Sequence, residues 1–288
     1  MLAPAKVNLT LEILARRAGG DHALRSVMVP LALADEIAFE PSERFAFACE
    51  PPSLALDNLV VRAFGRIGLA DAPLAVTLRK RIPIGAGLGG GSSDAAGVLR
   101  AAMRGEFGAI GARDWLGDAR ALGSDVPFFL ADAPAIVEGT GERVTALGAA
   151  PPWWIVLLVP NVHVATRDAY AALASAREGE PAPTRARSGS ATLRCGEALQ
   201  RADYAAVLDT MTNDFEPIVR ERYPAVDTAL RALHEAGAPG RAMVSGSGGA
   251  CFALFDGEPG ARAFAARVSA PPGTRVDIVP FATSSSWR

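Results

Sequence analysis

A run of glycines, a lysine–asparagine pair and one aspartate are the residues of this chain whose types and spacing suit the handling of an anion and of a proton. The glycines lie in "PIGAGLGGGSSDAAGVL", Pro83 to Leu99, where Gly85, Gly87, Gly89, Gly90 and Gly91 precede an apolar, alanine-rich run. Glycine inside an element costs stability relative to alanine, so such a cluster needs a reason. A mobile connector is one. Exposed N–H groups wrapping an anion, where side chains would block a phosphate, are the other. The flanks favour the second. "PLAVTLRKRIP" alternates like a strand, and Ala95, Val98, Leu99, Ala102 and Met103 recur at helical spacing. Ser92, Ser93 and Asp94 stand where a helix takes capping side chains. The order is strand, glycine loop, helix N-terminus.

Known phosphate loops fit this order poorly. "GAGLGG" spells G-x-G-x-x-G, but a dinucleotide fold wants a strand ending in an acidic residue roughly 20 positions on. Here that window reads "RAAMRGEFGAI". A P-loop needs a lysine where this chain has Gly91. No histidine is followed by Arg-Asp and there is no Asp-Phe-Gly, so the protein-kinase signatures are missing as well. A phosphate cradle of a fourth kind remains.

Three further stretches carry polar groups that could act with it. In "PAKVNLTLEIL", Val7, Leu9, Leu11 and Ile13 alternate with Lys6, Asn8, Thr10 and Glu12. Strict alternation predicts an apolar face and a polar face, with Lys6 and Asn8 side by side; a half-exposed edge strand would show the same pattern. In "GSDVPFF", Asp125 precedes Val126 and Pro127. It reads either as a helix N-cap or as a general base held ionised by a nearby lysine. "SGSGGACFALF", Ser245 to Phe255, is a second glycine turn entering a strand, either a plain tight turn or a close approach to a ligand. His22, His163 and His234 share no metal-ligand spacing with one another or with the cysteines.

The elements that must position these groups follow from the whole chain. At 288 residues, 50% hydrophobic and 21% charged, it reads as a packed α+β protein of two domains. We place the break before Pro151 and Pro152, giving residues 1–150 and 151–288. A net charge of −2 offers no bulk attraction for nucleic acid or an anionic membrane. "WWIVLLVP" is too short to span a bilayer, and no signal peptide is visible. Cys49, Cys195 and Cys251 are odd in number and lack metal spacing, which suggests reduced thiols in the cytoplasm. "AREGEPAPTRARSGSATLR", Ala176 to Arg194, reads as an exposed loop.

Taken in order, "PAKVNLTLEI", "PIGAGLGGGSSDAA", "GSDVPFF" and "SGSGGACFALF" resemble the successive motifs of the GHMP small-molecule kinases. "HALRSVM", "DNLVVRA" and "TRDAY" are similar to the member of that family that acts on a cytidine diphosphate conjugate of methylerythritol. The resemblance implies a ribosomal-protein-S5-like N-terminal domain and a ferredoxin-like C-terminal domain. It also implies ATP and Mg²⁺ as cofactors, and phosphorylation of a hydroxyl of that conjugate, a small-molecule partner. Carried onto this sequence, Asp125 would take the hydroxyl proton with Lys6 as its cationic partner. Pro83, Ile84, Gly85, Ala86, Gly87, Leu88, Gly89, Gly90, Gly91, Ser92 and Ser93 would wrap the ATP phosphates, with Ser92 or Ser93 as a Mg²⁺ ligand. Asn8 would lie by the reacting end, His22 and Tyr170 would hold the cytosine, and Thr166 would share the face of Tyr170.

One departure stands out. The family usually reads Asp-Gly-Tyr-His where this chain reads "GGDHAL", so Asp21 replaces an aromatic residue of the pyrimidine site. Two rival readings stay open: another GHMP kinase, acting on a sugar, mevalonate-type or amino-acid alcohol, and a non-catalytic nucleotide or metabolite sensor.

Overall fold

The alternating N-terminal run folds as two long antiparallel strands, β1 (Leu2–Arg16) and β2 (His22–Pro41), the spine of a seven-stranded sheet. The computed structural model describes residues 1–16, 22–176 and 190–283. β3 (Ala46–Glu50) runs parallel to β4 (Leu74–Arg79), and β4 pairs with the second half of β2. The first half of β2 pairs with β5 (Ala135–Gly139), which pairs in turn with β6 (Arg143–Ala146). A second, antiparallel sheet of four strands follows the order β11 (Arg275–Pro280), β7 (Trp154–Val159), β10 (Cys251–Phe255), β9 (Met243–Val244). Between them in sequence, β8 (Thr212–Asn213) leaves the C-terminal half and pairs in parallel with β1.

Helices α1 (Leu59–Arg66), α2 (Gly90–Met103), α3 (Trp115–Leu122) and α4 (Val126–Leu130) pack with the first sheet. Asn58 caps α1 by accepting from Val60 N–H. α5 (Thr166–Ala176), α6 (Ala191–Gln200), α7 (Tyr204–Thr210), α8 (Glu216–Arg222), α9 (Pro224–Glu235) and α10 (Glu258–Ala265) complete the α+β fold. Strand alternation gives the second sheet two apolar faces. Val156, Leu158, Ala253 and Phe255 meet Leu230 and Leu233 of α9 and Phe264 of α10. Ile155, Leu157, Phe252 and Leu254 share a core with Val7, Leu9, Val29 and Leu31 of the first sheet. Helices on one face of a four-stranded antiparallel sheet are the ferredoxin-like layering that was expected. Among the described residues no helix is long and apolar enough to cross a membrane.

Four expectations are corrected. β1 is an interior strand, flanked by β2 and β8, and Lys6, Asn8, Thr10 and Glu12 are all buried. Nor do those four share a face. Asn8 pairs with Met28 and Thr10 with Val27, so two steps along β1 meet one along β2, and the bulge at Leu9 inverts the alternation. Leu9 therefore joins the inter-sheet core while Leu11 and Ile13 join the helical one. Lys6 turns towards the glycine loop, and Thr10 and Glu12 towards α6, where Thr10 bonds Thr192 and Glu12 accepts from Ser190 Oγ.

The start of α2 differs as well. Its N-cap is Gly89, with φ +73, and no side chain caps it; Ser92, Ser93 and Asp94 fall inside the helix. Finally, Ala191 to Arg194, expected in an exposed loop, form the first turn of α6, capped by the buried Ser190. Residues 177–189 of that loop lie outside the described residues.

A buried charge cluster holds the glycine loop by both ends. Lys80, just before it, donates to Asp35 Oδ2 at 2.5 Å and to Asp94 Oδ2 in α2 at 2.6 Å. Asp35, fully buried in β2, accepts through its other oxygen from the N–H groups of Arg81 and Ile82. Burial presses the Lys80 ammonium down, but Asp94 and Asp35 hold it above its usual range. Two carboxylates share one ammonium, and burial pushes Asp94 up to about 7. Removing one partner of a buried ion pair costs about 3–5 kcal/mol because a charge is left uncompensated. Asp35→Ala is expected to destabilise the fold by about that amount in urea unfolding; a loss below about 1 kcal/mol would contradict the clasp.

Candidate active site

The glycine loop, α5, the second glycine turn and the segment that enters α4 line one cleft of about 660 Å³. Every residue from Pro83 to Ser92 lines it. The loop is shaped by what its inner side gives up. The carbonyls of Ala86, Gly87 and Leu88 accept, in turn, from Ala250 N–H, Ser245 Oγ and Lys6 N–H. With those carbonyls turned inward, none of the backbone N–H groups from Gly87 to Ser92 has an acceptor among the described residues. Those of Gly90, Gly91 and Ser92 are also the free donors of a helix N-terminus, where the dipole favours negative charge. The arrangement is chemically an anion cradle.

Gly87 shows why the loop tolerates no side chain at one point. Its φ is +78, and a Cβ there would stand 2.1 Å from the Ser245 carbonyl oxygen. Reciprocally, a Cβ at Gly248 would stand 2.1 Å from Gly87 N. The second glycine turn thus packs backbone to backbone on the first.

Under that junction lies the polar pair of β1. Lys6 Nζ donates to Asn8 Oδ1 at 2.6 Å, and Asn8 Nδ2 donates to Ser26 Oγ at 2.8 Å. Ser26 Oγ donates on to the Thr10 carbonyl at 2.5 Å, which fixes the Asn8 amide with its oxygen towards the lysine. Lys6 also stands 3.6 Å from Asp125 Oδ2. Asp125 occupies the N-cap position of α4 but caps nothing; its carboxylate is turned to Lys6 and is 27% exposed, open to the cleft.

Of the other expected residues, Thr166 and Tyr170 line the cleft from α5. Thr166 Oγ1 lies 3.1 Å from Ser247 Oγ of the second glycine turn. The Tyr170 ring meets Phe215 edge-on, centroids 4.8 Å apart, and burial, reinforced by the Asp125 charge, pushes its hydroxyl up to about 12. Ser93 is fully buried and is not among the residues that line the cleft, and its Oγ has no hydrogen-bond partner among the described residues. Ser92, half-buried, does line the cleft. His22 begins β2, with its side chain outside what is described, and Asp21 lies outside the described residues.

Residue-type reasoning missed several cleft residues: Phe215 and Lys80, and the rim formed by Leu54, Leu56 and Asn58. Leu56 is 89% exposed, an apolar side chain on an open edge. "DNLVVRA" marked the rim only as a resemblance, and nothing in the spacing of "MTNDFEP" set Phe215 apart from core. No group of three His, Cys, Asp or Glu side chains that could hold a metal occurs among the described residues.

Comparison with known proteins gives this geometry a family. Residues 58–132 match the model of the GHMP kinases N terminal domain and residues 197–272 that of GHMP kinases C terminal. A protein of Citrifermentans bemidjiense named 4-diphosphocytidyl-2-C-methyl-D-erythritol kinase is 36% identical, covering 95% of each chain. A protein of the same name from Symbiobacterium thermophilum is 38% identical, over 90% of this chain and 91% of its own. A crystal structure titled 4-(cytidine 5'-diphospho)-2C-methyl-D-erythritol kinase superposes with a TM-score of 0.76 at 33% identity, covering 98% of this chain and 99% of that one. The homoserine kinase of Cytophaga hutchinsonii shares the fold at 21% identity, TM-score 0.66, covering 98% of this chain and 93% of its own. The chain is a member of the GHMP kinase family, a two-domain ATP-dependent small-molecule kinase.

Proposed function

We propose that this kinase transfers the γ-phosphoryl group of ATP to a hydroxyl of 4-diphosphocytidyl-2-C-methyl-D-erythritol, the 2-hydroxyl, giving the 2-phosphate. One observation carries the reading: a row of unsatisfied N–H groups and a Lys6–Asp125 pair face one cleft. Relatives at 36% and 38% identity that carry this kinase's name support the acceptor. We place the boundary between the nucleotide-binding and C-terminal halves at residues 150–151. The buried free thiols of Cys49, Cys195 and Cys251 support a cytoplasmic setting.

In this reading the N–H groups from Gly87 to Ser92 hold the phosphates. Ser92 or Ser93 would hold Mg²⁺, an ion that typically binds through few protein groups plus substrate phosphates. Bound there, the ion would neutralise phosphate charge. Asp125 accepts the proton of the attacking hydroxyl as its oxygen bonds to the γ-phosphorus and the bond to the β-phosphate oxygen breaks, releasing ADP. Lys6, 3.6 Å from Asp125 Oδ2, offsets the charge that grows on the attacking oxygen. Asn8 holds the ammonium in place by accepting a hydrogen bond from it. Tyr170 supplies the aromatic face for the cytosine, with His22 as its polar partner and Thr166 at the near end of the same helix.

ADP release is the test of the acceptor. The cytidine conjugate, a sugar, mevalonate and homoserine are offered with ATP, and turnover is expected with the conjugate alone. Faster turnover of another alcohol overturns the assignment, and no ADP with any of them points to the sensor reading.

Asp125→Asn keeps the shape but not the base, and turnover is expected to fall by about 10²–10⁴-fold while ATP affinity holds. A near-normal rate would return Asp125 to a structural role. Gly90→Val acts on the cradle. Gly90 is helical, so crowding rather than backbone angle is the problem: a Cβ there would meet Ile82 at 3.1 Å and Lys80 Nζ at 3.2 Å. Calorimetric ATP titration of the folded variant is expected to show affinity reduced by roughly 5- to 150-fold, from an overpacking cost of about 1–3 kcal/mol. Unchanged affinity would remove the loop from the ATP site. Tyr170→Ala is expected to raise KM for the conjugate by roughly 5- to 150-fold with kcat largely kept, since one aromatic–base stack is worth about 1–3 kcal/mol. An unchanged KM would mean that the cytosine sits elsewhere.

A further inference from the structure

A single buried amide, Asn213, reaches both halves of the acceptor site. It is 3% exposed and belongs to β8, the C-terminal segment that pairs with β1. That segment is tied down: Asn213 stands opposite Leu11, Asp214 N–H donates to the Leu11 carbonyl at 2.9 Å, and Asp214 Oδ2 accepts from Ile13 N–H at 2.9 Å. The Asn213 side chain is therefore referenced to the strand that carries Lys6 and Asn8.

Its two polar atoms then diverge. Nδ2 donates to the carbonyls of Val244, the last residue of β9, at 2.8 Å and of Gly246 in the second glycine turn at 2.7 Å. Gly246, with φ +61, roofs the lysine: a Cβ there would lie 3.2 Å from Lys6 Nζ and 3.3 Å from Asn8 Oδ1. Oδ1 accepts from Phe215 N–H at 2.9 Å, and the Phe215 ring is the one that meets Tyr170.

We infer that Asn213 is a positioning residue whose amide nitrogen sets the roof over Lys6 and Asn8 and whose oxygen sets the Phe215–Tyr170 wall. It contacts no reacting atom. The oxygen's arm governs binding of the acceptor and the nitrogen's arm governs the chemical step, so the two are separable. A carboxylate of the same shape keeps the acceptor for Phe215 N–H but loses both donors and faces two carbonyl oxygens. Glu216 Oε2 still accepts from Val244 N–H, so the turn stays attached and only its Gly246 end relaxes.

The kinetic half of the test rests on the proposed acceptor. Asn213→Asp is expected to lower kcat at least tenfold with KM for the conjugate within about threefold, because Lys6 acts in the transition state. Phe215→Leu is expected to do the reverse. A common loss in both variants, or a normal kcat in Asn213→Asp, overturns the inference.

A second readout needs no substrate. The chain has two lysines, Lys6 and Lys80, and three tyrosines, Tyr170, Tyr204 and Tyr223. In Asn213→Ala, isotope-labelled spectra are expected to show shifts of the Lys6 and Tyr170 resonances while those of Lys80, Tyr204 and Tyr223 stay put. A variant that is merely less stable keeps all five native resonances, and that result overturns the inference. A wild type that releases no ADP with the conjugate overturns the acceptor reading alone, and the spectra then decide the role of Asn213.

Discussion

The two glycine turns can touch only because neither has a side chain at the contact, and the cleft is built outward from that touch. Gly87 and Gly248 approach until a Cβ on either would strike the other's backbone neighbourhood at 2.1 Å. The contact joins a turn before α2 to a turn before β10, so the glycine loop and the second sheet hold one another in place. It also takes up the carbonyls of Ala86 and Gly87, as β1 takes up that of Leu88, and this leaves the N–H groups of residues 87–92 facing the cleft.

Charge is placed around that junction by pairing. Burying an ammonium or a carboxylate alone is prohibitive, so each has its partner within reach. Lys80, Asp35 and Asp94 close the loop's ends, and Lys6, Asn8 and Asp125 form the polar side to which the proposed chemistry is assigned. The two clusters differ where function would need it. Asp35 and Asp94 are almost wholly enclosed, whereas Asp125 keeps 27% of its side chain open to the cleft. A carboxylate that must meet a substrate hydroxyl has to retain that opening.

Much of this was legible in residue order. The strand–glycine–helix unit, the strands at Trp154–Val159 and Cys251–Phe255, and the helix after Asn58 all follow from periodicity and caps. What escaped was set by tertiary contact. The bulge at Leu9 inverts β1 without any glycine or proline to announce it, so strict alternation put Thr10 and Glu12 beside Lys6. Ser93 and Asp94 looked like caps because they follow glycines, yet Gly89 alone starts the helix and Asp94 is taken by Lys80. Asn213 and Phe215 lie far along the chain from the glycine loop, and only the parallel pairing of β8 with β1 brings them to the site.

The central claim is that the turn junction aims the loop's N–H groups at nucleotide phosphate beside Lys6 and Asp125. A crystal structure with a non-hydrolysable ATP analogue tests it most directly. The account predicts the terminal phosphates within hydrogen-bond reach of the N–H groups of residues 87–92, with the γ-phosphate nearest Lys6 and the two glycine turns still in contact. Phosphates seated away from that loop, or turns that must separate to admit them, would contradict it.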